Sequence, residues 1–427
     1  MGQGKIRVKW NIMKLTMVLG NDFLYPFVDD RVYREAATLK ENGWDVSVVC
    51  WARTITNKPL DQLPAFAEYK GIKVIRIYQN ISPKNSLLLK RITQHLRGMR
   101  KMVKKIEETE PDIIHYNDFN TLFSLVFGGK KDHAKALYDS HEDYPLMLKS
   151  AVSPTLVKMA TRFERRIVRK HVDAVITVSP PILKRLNEVG PKTNDLIMNC
   201  KILKDYDIPN IKVKKARDMF LQKLEDKENI EMEDTSGKFI LLYIGSLGED
   251  RGLREAISTF RPINRGENLV LVVGGHGAIE DEMQNAIKQI PSAIYIGEVK
   301  SELVPLYTKA CDAVYMMMNP EEEWHKIAMP NKLFEAMAAG KPIIASANTI
   351  YGEVVKKEKS GVVIQYGDIE KLKHAIYELA KNKDMSEELG RNGFAAAQRE
   401  YNWTAQGKKL VELYKELWEK IKKETTS

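Results

Sequence analysis

Three cysteines in 427 residues, Cys50, Cys200 and Cys311, are few and widely separated, and each lies in or beside apolar sequence. They imply neither a disulfide framework nor a zinc site, and read as buried thiols. No apolar run approaches the roughly 18 to 20 residues that span a bilayer. The opening MGQGKIRVKW also lacks a signal-peptide segment. The expected location is therefore the cytoplasm, with peripheral attachment to the inner face of the membrane left open. Neither of the two glycine-rich turns that follow strands in the second half fits G-x-G-x-x-G with an acid about 20 residues on, which weakens any nicotinamide reading. No nucleic-acid module is recognisable, and the aromatic residues are not interleaved with the basic runs.

What is present is a globular composition, 44% hydrophobic and 29% charged, with room for two or three domains. The net charge of +10 is unevenly spread. Between Lys84 and Lys105 there are eight Lys or Arg and no acid, while Leu88, Ile92, Leu96, Met99, Val103 and Ile106 recur at helical spacing. Leu156 to His171 is a second basic helix, with Glu164 its single acid. Two readings stand for both helices: core-packed elements with solvated basic backs, or elements facing anionic lipid.

Short β-rich runs alternate with helical patterns: Leu15–Leu19, Val46–Cys50, Val74–Tyr78, Ile113–Tyr116, Ala136–Tyr138 and Ala174–Val178. The alternation restarts at Phe239–Ile244, Leu269–Val273, Ile294–Ile296, Ala313–Met316, Pro342–Ala345 and Val362–Ile364. Alternation of this kind predicts parallel sheets, hence two similar α/β domains. The expected layout is a flexible basic arm at 1–13, a first domain at 14–200, a charged surface connection at 201–237, a second domain at 238–402 and an amphipathic helix at 403–427.

The stretch MPNKLFEAMAAGKPIIAS, Met329 to Ser346, reads as a loop, a helix, a glycine stop and a buried strand. Pro330 suits a first turn, Asn331 a cap, and Gly340 the end. Lys332 adds a cation at an N-terminus, where the dipole disfavours one unless an anion sits nearby. Glu335, one turn in, can accept from a ribose or sugar hydroxyl. An ordinary capped helix is the alternative. Glycine-rich turns at YIGSLGEDRG and VVGGHG let backbone approach a ligand closely. Arg251 in the first of these could reach a diphosphate or simply be solvated. In YDSHEDYP, His141 has no second histidine at matching spacing, so a polar contact or proton role is expected rather than a metal. The loop after the first strand gathers Asp22, Asp29, Asp30, Arg31 and Glu35, with salt bridging around a helix start as the plain reading.

In collinear order from Lys14 onward, these segments resemble the retaining nucleotide-sugar glycosyltransferases of family 4. The matching runs are DDRVYREAATLKENGWDVSVVCWAR, PDIIHYND, ALYDSHE, VDAVITVSPPILKRL, IMNC, YIGSLGEDRG, LVVGGHG, IYIGEVKSELVPLY and MPNKLFEAMAAGKPIIAS. The resemblance implies the α/β GT-B fold, two Rossmann-like doubly wound parallel-sheet domains facing across a cleft, the first binding acceptor and the second donor. It places the donor diphosphate on Arg251, Asn331, Lys332 and Leu333, the ribose on Glu335, and the base beside Gly297 and Val299. His141 would be the catalytic side chain, and Gly245, Ser246, Gly275, Asp30 and Arg31 would line the cleft. The implied reaction moves a sugar from a UDP- or GDP-sugar to a hydroxyl acceptor, with no metal and no cofactor. The basic helices favour a lipid-linked acceptor at an anionic membrane surface.

Two departures touch the donor site. Ile327 stands eight residues before Glu335, where many members carry a second Glu, although Glu321, Glu322 and Glu323 lie upstream. Ser246 stands where arginine often follows the glycine. They motivate a non-catalytic sugar-nucleotide-binding subunit as the rival reading, with a nucleotide-sugar epimerase ranked last.

Overall fold

The computed structural model describes residues 12–25, 28–52, 63–78, 88–128, 134–191, 193–228, 237–263 and 267–426. The chain forms two compact units, Met1–Ile197 with Gly407–Ser427, and Met198–Gln406. Residues 1–11 of the expected basic arm and the start of the first basic run, Lys84 to Leu87, lie outside the described residues.

The first unit is built on strands β1 (Lys14–Leu19), β2 (Asp45–Ala52), β3 (Phe66–Tyr69), β4 (Ile72–Tyr78), β5 (Ile113–Asn117), β6 (Lys135–Ser140), β7 (Ala174–Thr177) and β8 (Thr193–Leu196). They lie in the order β3-β4-β2-β1-β5-β6-β7-β8, parallel except for the β3–β4 edge pair. The central strands are almost continuously buried, as a sheet covered on both faces requires. β3 is short and half exposed, and β8 is the polar run TNDL, so neither carries the apolar signature that reveals the others.

The second unit holds β9 (Phe239–Ile244), β10 (Leu269–Gly274), β11 (Ala293–Tyr295), β12 (Ala313–Met316), β13 (Ile343–Ser346) and β14 (Gly361–Ile364). All its pairings are parallel, in the order β11-β10-β9-β12-β13-β14. This is the doubly wound 3-2-1-4-5-6 arrangement. The first unit's parallel strands repeat it as β4-β2-β1-β5-β6-β7. In such sheets ligands bind beyond the carboxyl ends of the strands where the order reverses. Those switch points fall between β1 and β5, and between β9 and β12.

Two sequence expectations are corrected here, and the placement of the last helix is added to them. The segment 201–237 is more than a surface connection. It carries the helix Asn210–Glu228, which buries Phe220, Leu221 and Leu224, and Phe220 meets Tyr307 edge-on at 5.1 Å. Its charge-rich composition hid these apolar positions; residues 229–236 lie outside the description. Leu96, expected on the apolar face of the first basic helix, is 38% exposed, while Met99, Met102, Val103 and Ile106 are buried. The last helix, Trp403–Thr426, belongs from Gly407 onward to the first unit, where Tyr414 packs edge-on against Trp44 at 5.2 Å. The three cysteines are buried and not joined in a disulfide.

Candidate functional site

In the second unit the helix Asn331–Ala339 follows the β12 switch-point loop. Its N-cap is Pro330, with no side-chain cap, so Asn331 is the first helical residue and not the cap. Proline at this position fixes an extended entry. Asn331 accepts instead from Lys201 Nζ at 3.3 Å, and Leu333 N–H donates to the Pro330 carbonyl at 3.1 Å. Leu333, Phe334 and Met337 are buried, and Gly340 ends the helix with φ +69, the left-handed conformation glycine adopts freely. Glu335 lies half-buried with Lys201 Nζ at 3.0 Å from Oε1. Lys201 is itself buried, so one lysine fixes both Asn331 and Glu335.

Lys332 Nζ sits over the Tyr243 ring, 3.7 Å from its centroid, and a Cβ added to Gly245 would lie 2.9 Å from it. Burial, then the neighbouring Arg251, pushes its amine down to about 7, against the opposing pull of Glu335. Arg251 is held from two sides. Its guanidinium lies 5.3 Å from the Trp324 ring centroid, and its Nε is 3.5 Å from Asp250 Oδ1. Asp250 is in turn held by His325, whose Nε2 lies 2.7 Å from Oδ2. His325 Nδ1 is bonded to the Asn319 carbonyl at 2.7 Å, and Asn319 N–H donates to the Asp250 carbonyl at 2.9 Å. Burial works against the Asp250 charge, yet the His325 hydrogen bond and Arg251 keep its carboxyl below the usual range. The loops after β9 and β12 are thereby tied together, with two cations aimed into one region.

The glycine turns close against each other. A Cβ on Gly275, where φ is +134, would lie 1.8 Å from the Gly245 carbonyl oxygen, so only glycine fits there. Gly275 N–H donates to the Gly297 carbonyl at 2.8 Å, joining the loops after β10 and β11. Val299 is half-buried beyond them, and Ser246 is exposed.

In the first unit the loops after β1, β5 and β6 converge on a buried cluster. Asp29 caps the helix Asp30–Glu41 by accepting from Val32 N–H, and half-buried Asp30 lies in its first turn. Pro26 and Phe27 of the same loop lie outside the described residues. Arg31, expected to line a cleft, is buried at 4% exposure. Its Nε and Nη2 bind both oxygens of Asp139 at 2.8 and 2.9 Å, and its Nη1 donates to the Ile197 carbonyl at 2.8 Å. Asp22 pairs with Arg76 at 2.7 Å. The acidic loop is thus largely a set of structural ion pairs.

His141 bridges two carboxylates, with Nε2 2.9 Å from Asp139 Oδ2 and Nδ1 3.3 Å from Asp118 Oδ2. Burial works against its charge, but Asp118 and Asp139 raise its pKa well above the ordinary histidine value. Asp118 adopts φ +63, uncommon for a residue with a side chain, and accepts from His141 N–H at 3.2 Å. With both ring nitrogens facing carboxylates, His141 offers a fixed cation rather than a free base. Burial likewise opposes the charge of Asp139, but Arg31 and His141 hold its carboxyl well below the usual range. Glu35, with Oε1 3.1 Å from Arg31, is pushed up to about 8, chiefly by burial and also by Asp139, against the pull of Arg31. Burial lowers the pKa of His115, whose Nδ1 is bonded to the Tyr414 hydroxyl at 2.7 Å.

Glu35, His115 and Asp139 come close enough to hold a metal ion. Arg31 bonds Asp139 through two nitrogens and pairs with Glu35, so a guanidinium faces both acids of this cluster. Sequence reasoning missed Lys201, Asp250, Trp324, His325 and Asp118 as site members, and singled out Asp139 only as one of the carboxylates flanking His141. Asp250 and Asp118 stood inside quoted motifs, and the signal available was their position just past strand ends.

Comparison with known proteins agrees with both halves. A family model described as Glycosyltransferase Family 4 matches residues 29–197, and one described as Glycosyl transferases group 1 matches 225–396. An uncharacterized glycosyltransferase of Methanocaldococcus jannaschii is 24% identical over 309 residues, 71% of this chain and 72% of the relative. Among solved structures, sucrose-phosphate synthase from Thermosynechococcus elongatus superposes with a TM-score of 0.70 at 17% identity, covering 95% of this chain and 99% of that one. Anabaena HepE in complex with UDP gives 0.70 at 15% identity, over 95% and 100%. Two doubly wound units, one with a cationic helix start and one with a fixed histidine, define a GT-B enzyme that transfers sugars. More particularly, the chain belongs to glycosyltransferase family 4.

Proposed function

We propose that this enzyme takes its sugar from a UDP- or GDP-sugar and transfers it, with retention and without a metal, to a hydroxyl of a lipid-linked saccharide or glycan precursor at a membrane surface. The observation that carries the reading is the pairing of Lys332 with Arg251 at the start of the Asn331–Ala339 helix. Lys332 is set over Tyr243 and Arg251 against Trp324 and Asp250, and a dianion bound by both cations stabilises the charge of each. A diphosphate supplies that charge, and the helix start adds its dipole.

On this reading the Asn331 and Lys332 N–H groups and both cations hold the diphosphate, Glu335 the ribose, and the Gly297–Val299 loop the base. As the bond between the anomeric carbon and the diphosphate oxygen breaks, charge builds on that oxygen, and Lys332 and Arg251 neutralise it. The acceptor hydroxyl attacks from the face the diphosphate leaves, and its proton passes to the departing oxygen, which keeps the configuration. By the family resemblance His141 is the catalytic side chain of the first unit, and what it offers there is a fixed positive charge. Arg31 in the carboxylate cluster of the first unit supports metal independence, because the acids there are already neutralised. HepE, which shares the fold, is seen with UDP and with UDP-glucose, and this favours a nucleotide-sugar donor.

The test incubates the protein with UDP-, GDP- and ADP-sugars and membrane lipid extract in EDTA, measuring nucleotide release and labelled lipid together. Labelled lipid with a UDP- or GDP-sugar supports the proposal. Turnover that needs an added divalent ion, or nucleotide release that labels only soluble acceptors, contradicts the corresponding part.

A further inference from the structure

The first unit carries a patch of exposed large apolar side chains on three neighbouring segments. Phe123, Val126 and Phe127 lie on and just after the helix Leu122–Val126, and Tyr144 opens the turn after His141. Leu156 and Met159, on the helix Pro154–His171, are 51% and 59% exposed. The segments are joined by aromatic stacking. Phe123 stacks on Phe163 with ring centroids 4.6 Å apart, and Phe119 stacks on Tyr144 at 4.8 Å. On the third helix Leu156, Met159 and Phe163 follow one another at spacings of three and four, so they form a single apolar stripe.

That stripe is flanked by exposed cations, Lys158, Arg162, Arg165, Arg166 and Arg169. Glu164, the one acid of the helix, is buried and held by Arg185 and the Tyr138 hydroxyl, so it subtracts nothing from the surface charge. The first basic helix adds exposed Leu96, Arg97, Arg100 and Lys101, and it packs against the helix Leu122–Val126. A merely solvated basic back does not carry half-exposed Leu, Met and Phe at its centre. An apolar ridge edged by cations is the chemistry of a headgroup region, where apolar tips enter and cations meet lipid phosphates.

We propose that this face is where the enzyme rests on an anionic membrane. Its position serves the site of the same unit, because Phe119 follows Asp118 directly and Tyr144 stands three residues after His141. A lipid-linked substrate held in the leaflet would present its polar head next to the fixed histidine. For its purpose the proposal rests on the lipid-acceptor reading above; the binding itself needs neither donor nor acceptor.

The test is flotation of the full chain with phosphatidylglycerol–phosphatidylcholine vesicles and with phosphatidylcholine vesicles alone. The wild type should float with the anionic vesicles, less so at high salt. L156E/M159E should reduce that partition by about tenfold or more with an unchanged melting temperature, since both side chains are exposed. R162E/R166E should lower it by a similar factor. A wild type that stays at the bottom of the gradient at low salt overturns the proposal, and would leave a protein partner as the occupant. So would an L156E/M159E variant that floats as the wild type does. Flotation with no labelled lipid in the transfer assay removes the lipid acceptor and leaves the docking face standing.

Discussion

The sharpest consequence of the donor-site geometry is a pH dependence set by one lysine. With its amine near 7, Lys332 is about nine-tenths charged at pH 6 and about one-tenth charged at pH 8. The diphosphate of a nucleotide sugar is a diester that does not titrate in this range, and it binds the charged amine. Donor affinity should therefore fall about tenfold from pH 6 to pH 8, or about 1.4 kcal/mol. Calorimetry with a UDP-sugar in two buffers of different ionisation enthalpy reads both the affinity and the proton count. At pH 8, close to one proton should be taken up per donor bound. Lys332→Met should bind more weakly, with a flat profile and no uptake. The free protein responds with the opposite sign. Because the folded amine sits below its ordinary value of 10.5, the unfolded chain binds more protons between about 7 and 10.5, and stability rises with pH across that window. A flat wild-type affinity profile, or the same slope in Lys332→Met, would refute the reasoning.

Other outcomes follow from the first unit. His141→Ala should lower turnover by about a hundredfold while donor affinity measured calorimetrically stays unchanged, since the fixed charge is lost and the second unit is untouched. Asp139→Asn leaves the buried Arg31 without its bidentate partner and should cost about 3 kcal/mol or more in urea unfolding at pH 7. Because the folded carboxyl of Asp139 lies well below the ordinary 3.8, its contribution is present above that value and is lost as pH falls below it. The variant should therefore lose part of the wild type's acid sensitivity. Glu35 has the opposite sign. Raised from 4.5 to about 8, it contributes stability that is full below 4.5 and fades as pH rises through 8, and Glu35→Gln should flatten the melting temperature across that window.

The parallel strands buried on both faces were legible because such strands are continuous apolar runs, as in TMVL, VVC and IIHY. β3 and β8 were not, since a half-exposed edge and a polar tetrapeptide carry no such signal. Lys332, Glu335 and the glycine turns were visible because a cation at a helix start and glycines just past strands conflict with local preference. Arg31 was legible as part of a salt-bridged helix start, but its long-range partner was not, for a general reason. Sequence shows an arginine at a helix start but cannot show that a carboxylate 108 positions later captures it. Lys201 is the converse, a residue with no local anomaly whose role comes entirely from Asn331 and Glu335, more than a hundred positions away.

Arg251 shows how the structure resolves a choice the sequence left open. A lone loop arginine would ordinarily be solvated. Here the guanidinium lies over Trp324 and beside Asp250, and Asp250 is tied through His325 and Asn319 to the loop after β12. Its direction is therefore set before any ligand arrives. None of this depends on a carboxylate at position 327, where the Ile327 side chain cannot accept a hydrogen bond, nor on Glu321 and Glu323, which are exposed. The residues that would orient the charged part of a donor are thus separate from the one whose loss alters contact with the sugar. Replacing Trp324 or His325 should weaken diphosphate binding alike for donors of different sugar, whereas discrimination among sugars must come from groups other than residue 327.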